Sequence, residues 1–597
     1  MNALLILIVA IAILLVAYVG YGKWLAKTWG VDESRPTPSH TMEDGVDYVP
    51  AKAPVLLGHH FSSIAGAGPI NGPIQAACFG WVPVILWVLI GGIFFGAVHD
   101  FGALFASIRH KGQSMGEVIG DTMGTGAKRL FTIFGYLVLL LVVAAFASIV
   151  ASTFGSTSAA GEAVQGAALD AHATTAVISL LFIAIAIVFG FMVYRRNAGL
   201  AVSTVIGVVA IVAIVAIGLV WHPLYISYNV WMYVLGFYIL VASVTPVWIL
   251  LQPRDYLSSF LLYFMVIVAV LGVVGCAIAG KAQLDMPAFT SFTQASNGLL
   301  TGGTMFPALF VTIACGAISG FHSLVSSGTT SKQIDNERDA RPIGYGAMLI
   351  ECVVAVLALI AVGYVFKDAS AADATAKGLT SPTVVFATGI SQMIGTFVGA
   401  DSPIVNVMYT MLTLAVSVFC LTSLDTATRL ARYMFQELWL KEGETVEDAK
   451  KQGGAKAFFT NMYVATIITV VLGVGLGMTG YAKIWPLFGA ANQLLAAVGL
   501  LGVAAWLGHV GKNNKMMLFP MIFMLVVTIA SLGQTIQAKL ALFTSNGFEA
   551  AKLTPFWAGV QMALAILLIV LSLILAVKGI TTIAGQFKGK GVIKEEK

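Results

Sequence analysis

Ser62-Ser-Ile-Ala-Gly-Ala-Gly-Pro-Ile-Asn-Gly-Pro73 lies inside an apolar run, His60–Phe79, long enough to cross a bilayer. Gly66, Gly68, Pro69, Gly72 and Pro73 do not fit one continuous helix. Glycine loses backbone entropy there, and an interior proline lacks the N–H and clashes with the preceding turn. In hydrocarbon, a backbone interruption leaves N–H and C=O groups without partners. It survives only where protein or a water-filled cavity covers it. The stretch therefore predicts a helix broken inside the membrane. Five spans later, Ser243-Val-Thr-Pro246 followed by Gln252-Pro-Arg-Asp255 predicts a second break, at Pro246.

The surrounding composition makes this a membrane argument. Of 597 residues, 58% are hydrophobic and 10% charged, where a soluble domain carries about a quarter charged residues. That excludes a soluble enzyme, a nucleic-acid binder and a disordered scaffold. The net charge of +5 comes from basic residues scattered in short loops, so the partner is the lipid bilayer and not nucleic acid. Cys78, Cys276, Cys315, Cys352 and Cys420 fall in apolar runs with neither disulfide nor zinc spacing and read as small core hydrophobes.

Apolar runs predict an all-α polytopic membrane protein of about fifteen spans: Ala3–Lys27, His60–Phe79, Val82–Ile108, Leu130–Val150, Thr175–Val193, Leu200–Val220, Val230–Leu251, Leu257–Ala279, Met305–Val325, Ala347–Phe366, Ile404–Leu424, Ala457–Gly477, Pro486–Leu507, Met516–Leu532 and Pro555–Val577. Thr383–Phe397 is read as an external or re-entrant helix, because counting it as a span would put Arg429, Arg432, Lys441, Lys450, Lys451 and Lys456 outside. The N-terminus is then outside and the C-terminus inside. Lys281, Lys367, Lys377, Lys483, Lys539 and Lys552 face outward, and the other Lys and Arg lie on the cytoplasmic side. The first helix, followed by Lys23 and Lys27, reads as an uncleaved anchor.

Two five-helix units of opposite topology, each opening with a broken helix, outline a leucine-transporter-like 5+5 inverted repeat over spans 2–11. The chain divides into an anchor helix (1–28), a first repeat (58–220), a second repeat (230–432, containing helix 383–397), four further helices (457–579) and a cytoplasmic tail (580–597). The five helices outside the core have no assigned role, and monomer and homodimer both stay open.

Such folds place substrate between the broken helices. The substrate-binding candidates are Gly66, Ala67, Gly68, Pro69 and Asn71 from the first break, with Ser243, Thr245 and Pro246 from the second. Half-helix N-termini expose N–H groups that suit a carboxylate. An ionisable group at membrane depth is a functional candidate by default. The candidates for carrying a coupling proton are His99 and Asp100 in span 3 and Glu351 in span 10. Structural alternatives pair Asp100 with Arg109, and Glu351 with Arg341 or water. By architectural analogy, Ser319, Ser323, Ser326 and Ser327 in span 9 are candidates for a sodium ion. No Lys or Arg is read as deep in a span.

His59, His60 and His322 are assigned gating or structural roles. Neighbouring helical residues point about 100° apart and rarely share a metal, and no other ligand framework appears, so no metal or cofactor is expected. Asp425 and Arg429, one helical turn apart, read as a local ion pair. Asn492 and Gln493 read as interhelical hydrogen bonds.

Gly58-His-His-Phe-Ser-Ser-Ile-Ala-Gly-Ala-Gly-Pro-Ile-Asn-Gly-Pro73 resembles the hallmark of the carbon starvation protein A family. Gly96-Ala-Val-His-Asp-Phe101, Ser107-Ile-Arg-His-Lys-Gly-Gln-Ser-Met-Gly-Glu117, Ser423-Leu-Asp-Thr-Ala-Thr-Arg-Leu-Ala-Arg432 and Trp485-Pro-Leu-Phe-Gly-Ala-Ala-Asn-Gln493 are similar to its later blocks. The resemblance implies a bacterial inner-membrane transporter for nutrient scavenging, linked to peptides and to proton-coupled pyruvate uptake. It also implies kinship with the amino acid–polyamine–organocation superfamily. The expected function is secondary active, proton-coupled import of small carboxylate-bearing nutrients under carbon starvation. The alternatives are a sodium-coupled amino-acid-type symporter and a membrane-embedded nutrient sensor. An intramembrane enzyme is not expected, since it needs a nucleophile–base pair or metal ligands at membrane depth and only His59-His60 hints at either.

Overall fold

Lipid offers no hydrogen bonds, so helices rich in polar residues go to the inside of a bundle and purely aliphatic ones to its rim. The computed structural model shows this sorting at its extremes, although Thr125–Phe154 is buried while as apolar as the rim helix Ala201–Val220. It describes residues 2–592 except 46–47, 165, 197–198, 247–248, 295–298, 301, 367–378, 380, 442–443, 445 and 590. Every residue in the apolar stretch of Tyr481–His509, which carries Asn492 and Gln493, is buried. In the aliphatic helices Ala3–Trp29 and Ala201–Val220 only 33% of that stretch is buried. Thr125–Phe154, Met305–Lys332 and Glu337–Val365 complete the buried centre.

Among the described residues, twelve helices are long and apolar enough to cross a membrane. The expectation was fifteen. His60–Phe79 is divided into two short helices, while Val230–Leu251 and Ala457–Gly477 contract to Tyr228–Val244 and Met462–Gly477. Pro382–Val398 is a third short apolar helix. Its 17 residues span about 25 Å at 1.5 Å per residue, short of the roughly 30 Å hydrocarbon core. The remaining described residues form shorter helices such as Met115–Met123, turns and connecting chain, including one two-residue antiparallel pair, Thr293–Gln294 with Gly303–Thr304. Lys367, Lys377 and residues 593–597 of the expected tail lie outside the described residues.

The first break is where the sequence places it. Ala53–Ile64 ends at Ala65, whose ψ of 66° leaves the helical region, and Gly68–Ala76 restarts with Pro69 in its first turn. Proline is tolerated there because the first-turn N–H has no helical partner.

The second break is elsewhere than expected. Tyr228–Val244 ends before Pro246, with Thr245 extended as a residue preceding proline must be, and a new helix starts at Leu251. Pro246 thus sits in the connection between two helices. The other interrupted span is Met305–Lys332. Met305–Ile313 runs into a 3₁₀ turn, Ala314–Gly316, and the helix resumes only at Gly320–Gly328. Ala314 has φ +41°, a value that costs a non-glycine residue about 1–3 kcal/mol and persists only when packing holds it.

The two breaks lie against each other. A Cβ added to Gly72 would fall 2.7 Å from Ile313 Cα, so only glycine allows this backbone approach. Gly72→Ala is expected to destabilise the bundle by about 1–3 kcal/mol. The comparison is Gly533→Ala, where a Cβ meets nothing within 4 Å. A thermal midpoint in detergent that fell equally for both would refute this close-packing account.

Candidate functional site

Two helices next to the second break carry π turns, Gly92–Gly96 and Arg341–Gly346. Such bulges shift the register of the side chains that follow and recur at functional sites. Asp100 follows the first by one helical turn, and Glu351 follows the second by little more. Both acids are fully buried.

Between them stands His322, on the half-helix Gly320–Gly328. Its Nδ1 lies 2.8 Å from Asp100 Oδ2, and its Nε2 lies 3.4 Å from Glu351 Oε2. The second contact is not aligned as a hydrogen bond, so Nε2 and both Glu351 oxygens lack partners. His99 Nδ1 meets the other Asp100 oxygen at 2.8 Å. The result is a chain His99–Asp100–His322–Glu351, wholly removed from solvent, with one imidazole between two carboxyl groups. An imidazole presents a nitrogen on each side, so a proton held there can be passed in either direction.

This geometry removes two structural alternatives. Asp100 does not pair with Arg109, whose guanidinium grips Glu337 (Nε to Oε1 2.5 Å, Nη2 to Oε2 2.9 Å) and the Gly30 carbonyl. Glu351 is not a shallow partner of Arg341. His322, assigned a gating or structural role from the sequence, stands between the two acids.

The broken backbone is satisfied by Tyr481–His509. Asn492 Oδ1 accepts from the Phe321 N–H at 2.9 Å, Gln493 Nε2 donates to the Phe310 carbonyl at 2.7 Å, and the Trp485 indole donates to the Thr312 carbonyl at 3.3 Å. Both amides are thus interhelical. The span 9 serines are mostly engaged as well. Ser319 pairs with Asn492 at 3.0 Å, Ser323 donates to the Gly320 carbonyl and Ser327 to the Ser323 carbonyl, leaving the buried Ser326 hydroxyl without a partner.

Below the breaks, a cavity of about 480 Å³ opens at one end of the bundle. His59 and Ser63 wall it from the half-helix before the first break, and Leu324 and Ser327 from the half-helix after the second. Lys332, Arg429, Asp255 and Glu437 add charge of both signs. His60 faces inward, its Nδ1 2.8 Å from Thr330 Oγ1.

Of the substrate candidates, Gly66, Ala67, Gly68, Pro69 and Asn71 are buried at the first break, and Ser423 Oγ would lie 2.9 Å from a Cβ at Gly66. Ser243, Thr245 and Pro246 are not among the residues that line this cavity. The carbonyls of Ala242 and Thr245 take both their bonds from Arg429 Nη2 (2.7 and 2.6 Å), and that of Ser243 takes one from Arg432 (2.6 Å). Arg429 is therefore not the partner of Asp425. Asp425 instead binds Arg254 and, at 2.7 Å, the Tyr238 hydroxyl.

Arg254 was missed. It is fully buried and also reaches Asp255 Oδ1 at 3.0 Å, with Asp255 3.9 Å from His59. The Pro253-Arg-Asp255 triplet reads as loop, when it opens the helix Leu251–Ile278.

The family model for the carbon starvation protein CstA matches residues 2–376 and 367–531 of this chain. The chain belongs to the CstA family. Within that family it is 33% identical over 542 residues to the peptide transporter CstA of Bacillus subtilis (strain 168), covering 84% of both proteins. It is also 33% identical over 634 residues to the pyruvate/proton symporter BtsT of Escherichia coli (strain K12), covering 91% of this chain and 82% of BtsT. The crystal structure of a manganese transporter from Eremococcus coleocola overlays with a TM-score of 0.48 at 12% identity, over 91% of this chain and 99% of that one. That overlay is too loose to assign a fold. The CstA family match spans the elements just described: the first break, the helix of Asp100, the Asp425 segment and the amides of Tyr481–His509.

Proposed function

We propose that this chain imports small carboxylate-bearing nutrients, peptides or pyruvate, across the bacterial inner membrane by proton-coupled alternating access. The observation that carries the coupling is the fully buried chain Asp100–His322–Glu351 beside a strained helix break. Charges are placed at membrane depth only at a cost that function repays. The relatives' activities agree with the substrate class.

The inverted-repeat reading is retained with a different second member. In each half a broken helix (53–79, 305–332) is followed by a helix with a π turn and then a buried acid, Asp100 or Glu351. Orientation rests on charge. Arg109, Lys332, Arg429 and Lys128 gather at the cavity end, while Lys483 and Lys552 meet at the far end, where Lys552 pairs with Glu162. With the cavity end cytoplasmic, the N-terminus is outside, the C-terminus inside, and the vestibule inward-facing. One chain contains both breaks, the vestibule and the buried acids, so the reading needs no second copy.

Sodium coupling keeps one support, the unpartnered Ser326 hydroxyl. Uptake of labelled pyruvate and of a dipeptide into proteoliposomes tests both readings. Accumulation of one substrate under an inward proton gradient without sodium is the expected result. A requirement for sodium would replace the proton, and uptake indifferent to collapse of both gradients would sink symport altogether.

A further inference from the structure

Cys315, His322 and Glu351 each bring a ligand-type atom into one cluster, with Sγ, a ring nitrogen and a carboxylate oxygen all within 4.8 Å of one another. All three residues are buried. Cys315 lies in the 3₁₀ turn of the break in Met305–Lys332, His322 on the half-helix after it, and Glu351 on the neighbouring helix Ala347–Val365. We propose that these residues form a binding site for a zinc-class divalent cation.

Three observations carry the assignment. The first is the donor set: one imidazole, one carboxylate and one thiol suit a borderline-soft ion and match neither calcium nor magnesium, which take oxygen ligands. The second is that the imidazole and the carboxylate are held ready, while the Cys315 thiol donates to Ser319 Oγ at 3.4 Å. His322 Nε2 and both Glu351 oxygens are buried with no hydrogen-bond partner, a costly state that a metal relieves. The third is the outer shell. A metal-binding histidine usually gives its other ring nitrogen to a carboxylate, which sets the tautomer. Here His322 Nδ1 is held 2.8 Å from Asp100 Oδ2, presenting Nε2 to the site. The Asn492 amide, 3.6 Å from Cys315 Sγ, provides a donor to a thiolate.

Zinc bonds of about 2.0–2.3 Å in tetrahedral geometry put ligand atoms about 3.5 Å apart, so the cluster has to close by roughly 1 Å to hold the ion. The closure bridges the break. It also occupies His322 Nε2, so bound zinc and proton passage from His322 to Glu351 exclude each other. The binding itself does not depend on the transport reading.

The test uses the full chain in detergent, stripped with chelator and equilibrated with zinc chloride, with bound metal measured by mass spectrometry. One zinc per chain is expected. Cys315→Ala and Glu351→Gln are each expected to weaken binding by at least about 10-fold. Cobalt in place of zinc should give a near-ultraviolet thiolate band in the wild type that Cys315→Ala removes. Cys315→Ser serves if the alanine variant loses its thermal transition. No stoichiometric zinc in the wild type overturns the site, and so does zinc held equally by both variants without a thiolate band.

Discussion

Asp100→Asn is expected to leave substrate exchange intact and to abolish accumulation. With one proton per electroneutral cycle, a gradient of two pH units supports about 100-fold accumulation, since each unit is worth about 1.4 kcal/mol. In the variant the ratio should fall to about 1. Asparagine keeps the shape of the side chain, so it can still contact His99 and His322, but it has no carboxylate to load. Counterflow of labelled against unlabelled substrate needs no net proton movement and reports a folded, alternating carrier. Counterflow preserved with accumulation lost assigns Asp100 to coupling. Full accumulation in the variant would remove Asp100 from the mechanism. Glu351→Gln interrupts the other end of the same chain, with the same expected split between the two measurements.

The second large effect is on stability. The Arg254 guanidinium is fully buried between Asp425 and Asp255, with the Tyr238 hydroxyl at 2.8 Å. It joins helices Tyr228–Val244, Leu251–Ile278 and Pro403–Glu437. Arg254→Met leaves two carboxylates without their cation, and breaking a buried pair from one side costs about 3–5 kcal/mol. The variant is expected to show a large drop in thermal midpoint and poor yield. Adding Asp425→Asn removes one of the stranded charges and should recover much of the loss. A single variant as stable as the wild type, or a double variant worse than the single, would show that the network does not hold these helices together.

The sequence was most legible where a residue's chemistry conflicts with its local setting. Five glycines and prolines in His60–Phe79 cannot be helical throughout, and the chain breaks there. Asp100 and Glu351 have no business in apolar helices, and they form the buried cluster. Legibility failed where local and tertiary causes look alike. Met305–Val325 read as one continuous span with Ser319 as a sodium candidate, yet the helix parts there because Asn492, Gln493 and Trp485 satisfy the freed backbone from another helix. Pro246 read as an interruption within a span, yet it lies between two helices. The pairing of Asp425 with Arg429 followed from their spacing, but Arg254, 171 residues away in sequence, took Asp425 instead.

The sequence alone determined a many-helix membrane protein with one broken span, buried acids in spans 3 and 10, and a basic side. Those properties follow from composition, helix-breaking residues and charge, which act locally or through the bilayer. Only the tertiary structure decided which helix carries the second break, that His322 stands between Asp100 and Glu351, and where each buried charge finds its partner. The physical reason is common to all three. In a medium without water, a polar group must find its partner within the protein, and that partner comes from whichever helix packs against it.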